Sequence, residues 1–240
     1  SGDTGFTLDG MSNMGGTVVD GASKITIKNS NFTSTLDMDG SSIRGMVIDG
    51  NKFDWQVGPT FGGGNAKIFA GADGAFPGDG AIITNNTFRN GDLDGIHGGS
   101  GLLVTNNIFD NLCDFNMTQN GQDSNHTDNI QFEGGHQTRI AGNYFHASSS
   151  CPTQGITSFD SGTVGIIIEN NVVDIHRPWG IEFYSDQNSI IRHNTVVYHP
   201  DADCDFTGQP CGQIDINRKS ADPAGSGTHV YDNITTDVGF

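Results

Sequence analysis

The 240-residue chain is long enough for one domain with its own core, and 34% of it is hydrophobic despite 35 glycines, so it folds rather than remaining disordered. Asp and Glu number 28 against 11 Lys and Arg, giving a net charge of -17. That charge argues against nucleic acid and anionic membrane surfaces as partners, because both are bound through clustered cations.

No apolar run approaches the ~20 residues that a membrane-spanning helix needs. The chain opens on the polar Ser1-Gly2-Asp3-Thr4, with no signal peptide, as expected of a mature or trimmed chain or of a fragment of a longer one. The acidity has two readings: solubility of a secreted protein, or Ca²⁺ held by carboxylates. Cys113, Cys151, Cys204 and Cys211 form no CxxC motif and suit two disulfides, of three pairings in principle. The favoured pairing closes a short loop, Cys204–Cys211, and joins two loops, Cys113–Cys151. It places the protein in an oxidising, extracellular compartment.

Taken in chain order, a short phrase recurs: alternating β-branched or apolar residues, then Asn, one residue, then an apolar residue. It reads ITIKNSNF ending at Phe32, MVIDGNKF at Phe53, IITNNTF at Phe88, LLVTNNIF at Phe109 and RIAGNYF at Phe145. IIIENNVV at Val173, IIRHNTVV at Val197 and HVYDNIT around Asn233 follow. The marker asparagines are Asn31, Asn51, Asn86, Asn107, Asn143, Asn171, Asn194 and Asn233. The phrase predicts a strand that turns sharply at Asn, a residue tolerant of the left-handed backbone region. Stacked coils bring the asparagines into a hydrogen-bonded ladder, and each coil buries its core only against its neighbours. The prediction is all-β: a single-stranded right-handed parallel β-helix, a solenoid of roughly 20–23-residue coils, spanning residues 1–240 as one domain.

A second strand in each coil centres on an isoleucine: Ile68, Ile96, Ile130, Ile156, Ile181 and Ile214. If these stack inward, the next residues, Phe69, His97, Gln131, Thr157, Glu182 and Asp215, face solvent as one column. A second outward column holds Glu133, Phe159, Tyr184 and Asn217. Asp94, Asp128, Gln154 and Trp179 lie where the turn meets the strand, with His126, His176, Arg177, Arg218 and Lys219 just outside. This face gathers the ionisable and aromatic residues that a sugar polymer needs, although outward columns of a β-helix are polar for solubility as well.

Within it, His126 and Asp128 share one side of a strand, either as a proton-transfer pair or as a turn cap. Arg177, with Trp179 and Glu182, suits a uronate carboxylate or pairs with a neighbouring Asp. Glu133 and Glu182 are expected roughly 10 Å apart, and Glu182 and Asp215 about 5 Å, the separations of inverting and retaining glycosidases respectively. A divalent metal on His97, His126 and a carboxylate is a further reading.

The phrase NHTDNIQFEGG, with IIIENNVV and NSIIRHNTVV, resembles the parallel β-helix repeat proteins of secreted carbohydrate enzymes. These are polysaccharide lyases, mannuronan C5-epimerases and polygalacturonase-type hydrolases. The resemblance implies a β-helix acting on a polysaccharide. The epimerase Asp-Pro-His phrase and the polygalacturonase Asn-Thr-Asp, Asp-Asp and Gly-His-Gly phrases are absent, so no catalytic residue carries over.

The leading expectation is a lyase or epimerase on a uronate-containing glycan. Its catalytic residues are drawn from His126, Asp128, Glu182, Tyr184 and His97, and its substrate contacts from Gln131, Glu133, Arg177, Trp179, Asp215, Arg218 and Lys219. A glycoside hydrolase using a carboxylate pair among Glu133, Glu182 and Asp215 is the alternative, and a non-catalytic glycan-binding β-helix module the third. The expected partner is a polysaccharide substrate, and the protein is expected to be a monomer.

Overall fold

The computed structural model describes residues 5–17, 22–38, 44–55, 66–70, 80–91, 93–113, 127–132, 134–148, 151, 153–159, 162–177, 179–198, 212–218 and 224–239. Among these there is no helix, and all strand pairs are parallel. Each full coil contributes three short strands. The first in each coil joins a nine-stranded sheet, here sheet A, running from Thr7–Asp9 to His229–Tyr231. The others join a fifteen-stranded sheet that bends at Asn31–Asp37. Asn31 and Phe32 pair with Lys52–Asp54, and Leu36 and Asp37 with Ala66–Ala70, which divides it into a sheet B and a sheet C. The parallel β-helix expected from the repeats is therefore the fold.

The repeat phrase spans the corner between sheets A and B. On the sheet B side the aromatic residues stack inward: Phe32, Phe53, Phe88, Phe109 and Phe145 have successive ring centroids 4.4, 4.9, 4.6 and 4.7 Å apart. Val173 and Val196 continue the column. All seven are buried.

At the corner, Asn51, Asn86, Asn107, Asn143, Asn171, Asn194 and Asn233 form an unbroken ladder. Each side-chain amide donates to the next Oδ1 at 2.9–3.0 Å, and that oxygen also accepts the backbone N–H of the Asn before it. Each amide donates a second bond to a carbonyl of the preceding coil, as Asn107 does to Ile83 at 2.9 Å. Every polar atom of the buried amides is thereby satisfied.

Two details differ from the sequence reading. Asn31 is exposed and outside the ladder; Ser30 holds that place, its N–H donating to Asn51 Oδ1 at 3.0 Å. The left-handed residue is not the ladder Asn but the one before it: Asn29, Gly50, Asn85, Asn106, Gly142, Asn170, His193 and Asp232, with φ between 50° and 68°. The ladder Asn is kept for its amide, and the turn conformation falls to its predecessor.

In sheet C the column Leu36, Ile68, Ile96, Ile130, Ile156, Ile181 and Ile214 stacks in register and buried, and the exposed Val238 ends it. The preceding position is pinched. A Cβ at Gly155 would sit 2.0 Å from the Gly180 carbonyl oxygen, and one at Gly180 2.3 Å from Val196 Cγ1. Lys67 occupies this position in an earlier coil. There it is wholly buried, its ammonium 4.0 Å from the Trp55 ring centroid and 3.1 Å from the Trp55 carbonyl oxygen.

The Cys113–Cys151 disulfide is formed. Cys204 and Cys211 lie outside the described residues.

Candidate functional site

The outer face of sheet C carries the candidate residues. The column Phe69, His97, Gln131, Thr157, Glu182, Asp215 is in register from strand to strand. It does not face open solvent as the sequence reading expected. His97, Gln131, Thr157 and Glu182 are 3, 6, 0 and 1% exposed, and only the ends, Phe69 and Asp215, are partly open. Strands Asp94–Gly98, Asp128–Phe132 and Gln154–Ser158 are buried on both faces, whereas the strands of sheets A and B alternate. The physical reason lies partly in the side chains themselves. Trp179, at the start of strand Trp179–Tyr184, reaches Phe159 at 5.9 Å, and Phe159 meets Tyr184 at 5.3 Å. The indole thus lies along the face beside the Thr157–Glu182 rung.

Two clusters result. In the first, Asp94 and Asp128 are bridged. The Asp128 N–H donates to Asp94 Oδ1 at 2.8 Å, and the Gln131 amide, oriented to satisfy its bonds, donates to Asp94 Oδ2 at 2.9 Å and Asp128 Oδ2 at 3.3 Å. His97 Nδ1 lies 3.3 Å from Asp94 Oδ2. Burial pushes the Asp94 carboxyl above its ordinary pKa; the bond to His97 opposes this and the charge of Asp128 adds to it.

The second cluster is Glu182 with Asp215 and Tyr184. Burial, reinforced by the charge of Asp215, raises Glu182 to about 8, with the Tyr184 hydroxyl pulling back and Asp128 adding to the rise. Tyr184 is itself raised to about 12, by burial and by Glu182. Glu182 Oε2 and, one rung away, Thr157 Oγ1 are buried without a hydrogen-bond partner. Asp215, half-buried, is raised by burial, while Asn217 and the Ile216 N–H counteract it. Its carboxylate leans over Gly239, where a Cβ would stand 2.4 Å from Oδ1. Arg177 is buried, its guanidinium carbon 5.9 Å from the Trp179 ring centroid.

Arg218 is exposed, directly beyond strand Gln213–Asn217, and lines a cavity of about 360 Å³. His126, Glu133 and Lys219 lie outside the described residues, so neither the His126–Asp128 pair nor the Glu133–Glu182 spacing enters the geometry. No group of three or more His, Cys, Asp or Glu side chains among the described residues is placed to hold a metal, and the Ca²⁺ expectation gains no site there. The aromatic contacts of Phe159 were not foreseen, although its position in the second outward column, in line with Tyr184, was legible.

No protein-family model matches the chain, and no curated protein matches it. Among solved structures it is similar to the Dettilon tailspike protein gp208, at a TM-score of 0.55 and 14% identity over 97% of this chain and 53% of that one. The chain thus spans about half that protein's length, and the likeness is one of fold. A second match, the fluoroquinolone-resistance protein QnrB1, superposes at a TM-score of only 0.18 with 13% identity and carries no argument.

Proposed function

We propose that the outer face of sheet C is a polysaccharide site and that the protein cleaves glycosidic bonds there, with Glu182 as general acid and Asp215 as its carboxylate partner. The observation that carries this reading is their placement. They are register partners on adjacent parallel strands, ~4.8 Å apart along the stack. That is close to the ~5–5.5 Å of retaining glycosidases. Their environments differ in the sense that such chemistry needs: Glu182 is buried and holds its proton at neutral pH, and Asp215 stands at the open end of the column. In the retaining scheme Glu182 protonates the leaving oxygen while Asp215 attacks the anomeric carbon. Glu182, then ionised, takes a proton from the water that releases the sugar. Trp179, Phe159 and Tyr184 supply an aromatic wall for sugar rings. The tailspike likeness is in keeping with a polysaccharide-binding or polysaccharide-hydrolysing β-helix, and the disulfide is compatible with an extracellular setting.

The test is incubation with a polysaccharide panel, following reducing ends, the ultraviolet absorbance of unsaturated products, and anomeric configuration by NMR. Reducing ends with retained configuration and no unsaturated product are expected, with Glu182→Gln and Asp215→Asn each reducing turnover by at least about a hundredfold. An unsaturated product restores the lyase reading, and binding without turnover the binding-module reading; either overturns the hydrolase.

A further inference from the structure

Beyond the carboxylate pair, a cavity lies at the end of strand Gln213–Asn217. Strand Gln213–Asn217 presents Asp215 and Asn217 outward, and Arg218 follows directly. The cavity of about 360 Å³ is lined by Ile216, Asn217 and Arg218 on one side and by the stretch Ala224–Thr228 on the other. Its second wall is fixed: the Ser226 N–H donates to the Asp186 carbonyl at 2.9 Å, and the Thr228 hydroxyl donates to the buried Asp186 carboxylate. A Cβ at Gly225 would stand 2.3 Å from the Asp186 carbonyl oxygen, so this wall has a glycine backbone drawn against its neighbour coil. The volume exceeds that of one pyranose ring and lies within the range of small-ligand sites.

The chain carries a net charge of -17, and several of its cations are held by carboxylates: Arg139 and Arg192 share Glu169, Arg89 pairs with Asp110 and Lys28 with Asp9. Among the described residues the Arg218 guanidinium has no ion pair, although Asp215 is three residues away; its backbone N–H donates to Asn217 Oδ1 at 2.8 Å. The carboxylates of Asp128 and Asp215 along the rest of the face disfavour a run of consecutive uronates, while a planar guanidinium takes a single carboxylate in a bidentate fork.

We infer that the Arg218 cavity is a subsite for one carboxylate-bearing sugar unit, so that the substrate is a heteropolysaccharide with neutral units at Glu182 and Asp215 and an acidic unit at the end of the track. This rests on the proposed hydrolase for its place in a reaction, but the subsite is testable by itself. Sodium glucuronate, glucose and inorganic sulfate are titrated separately into the full chain and followed by amide NMR. Glucuronate is expected to shift the amides of Gly225, Gly227 and Thr228. Arg218→Gln weakens its binding by at least about tenfold, and Ala224→Leu, which fills the cavity while keeping the charge, does likewise. Glu182→Gln binds glucuronate as the parent does, so loss of hydrolysis and loss of the subsite are separate results. The inference is overturned if glucose shifts the same amides equally, if sulfate binds as tightly as glucuronate, if either Arg218→Gln or Ala224→Leu binds glucuronate unchanged, or if these amides do not respond.

Discussion

Replacing Glu182 with Gln tests both the site and its electrostatics. The carboxyl is 1% exposed with Oε2 unpartnered, and burial carries its pKa from 4.5 to about 8. The unfolded chain releases this proton above its ordinary pKa, whereas the folded protein keeps it to about pH 8. Between those limits the native state binds more protons, so stability falls as pH rises. The contribution is fully present below the unfolded pKa and gone above the folded one. At ~1.4 kcal/mol per pH unit the rise corresponds to about 5 kcal/mol.

Gln has nearly the same shape and no charge at any pH. The variant and the parent should therefore be almost equally stable near pH 4, and the variant should be the more stable by about 5 kcal/mol near pH 9. Urea unfolding across that range, followed by tryptophan fluorescence, gives the difference; ¹³C titration of the Glu182 carboxyl gives the pKa directly. Stability curves that run parallel from pH 4 to about pH 9, or a carboxyl titrating in the ordinary glutamate range, would refute the reasoning and remove the general acid from the proposed mechanism.

Asn107→Ala takes out a ladder rung that donates to Ile83 O and Asn143 Oδ1 and accepts from Asn86. With buried partners left unsatisfied, a loss of about 3–5 kcal/mol in urea unfolding is expected, against a smaller loss for Asn233→Ala at the less buried end. Lys67 is lowered from 10.5 to about 7 by burial, which the charge of Asp54 only partly opposes. Below pH 7 the folded protein holds a buried charge at a cost that fades as pH rises to the unfolded pKa. Lys67→Met should thus raise the melting temperature at pH 6 and change it little near pH 10.5, and a gain independent of pH would contradict this account. Reducing Cys113–Cys151, which closes a 38-residue separation, should lower stability by about 4 kcal/mol on the chain-entropy model, measured by urea unfolding with and without dithiothreitol.

Sequence alone determined the stack. Period-2 apolar runs, the recurrent Asn and the isoleucine series specify strands whose inward residues coincide from coil to coil. Parallel in-register pairing leaves no freedom once one column is set, and Ile96, Ile130, Ile156 and Ile181 align as their spacing requires. The same pattern could not separate Asn29 from Ser30 and Asn31, because three adjacent polar residues carry no period. Only the tertiary structure decided which of them turns the chain and which enters the ladder.

It also decided the state of the outward face. Alternation says that Glu182 and His97 point away from the core, but not whether water reaches them. Trp179 comes to lie against Phe159 through a lateral contact between coils, and the same neighbourhood buries Glu182 beside Asp215. Desolvation depends on how closely neighbouring groups exclude water, a property of the assembled coils and of no single one of them.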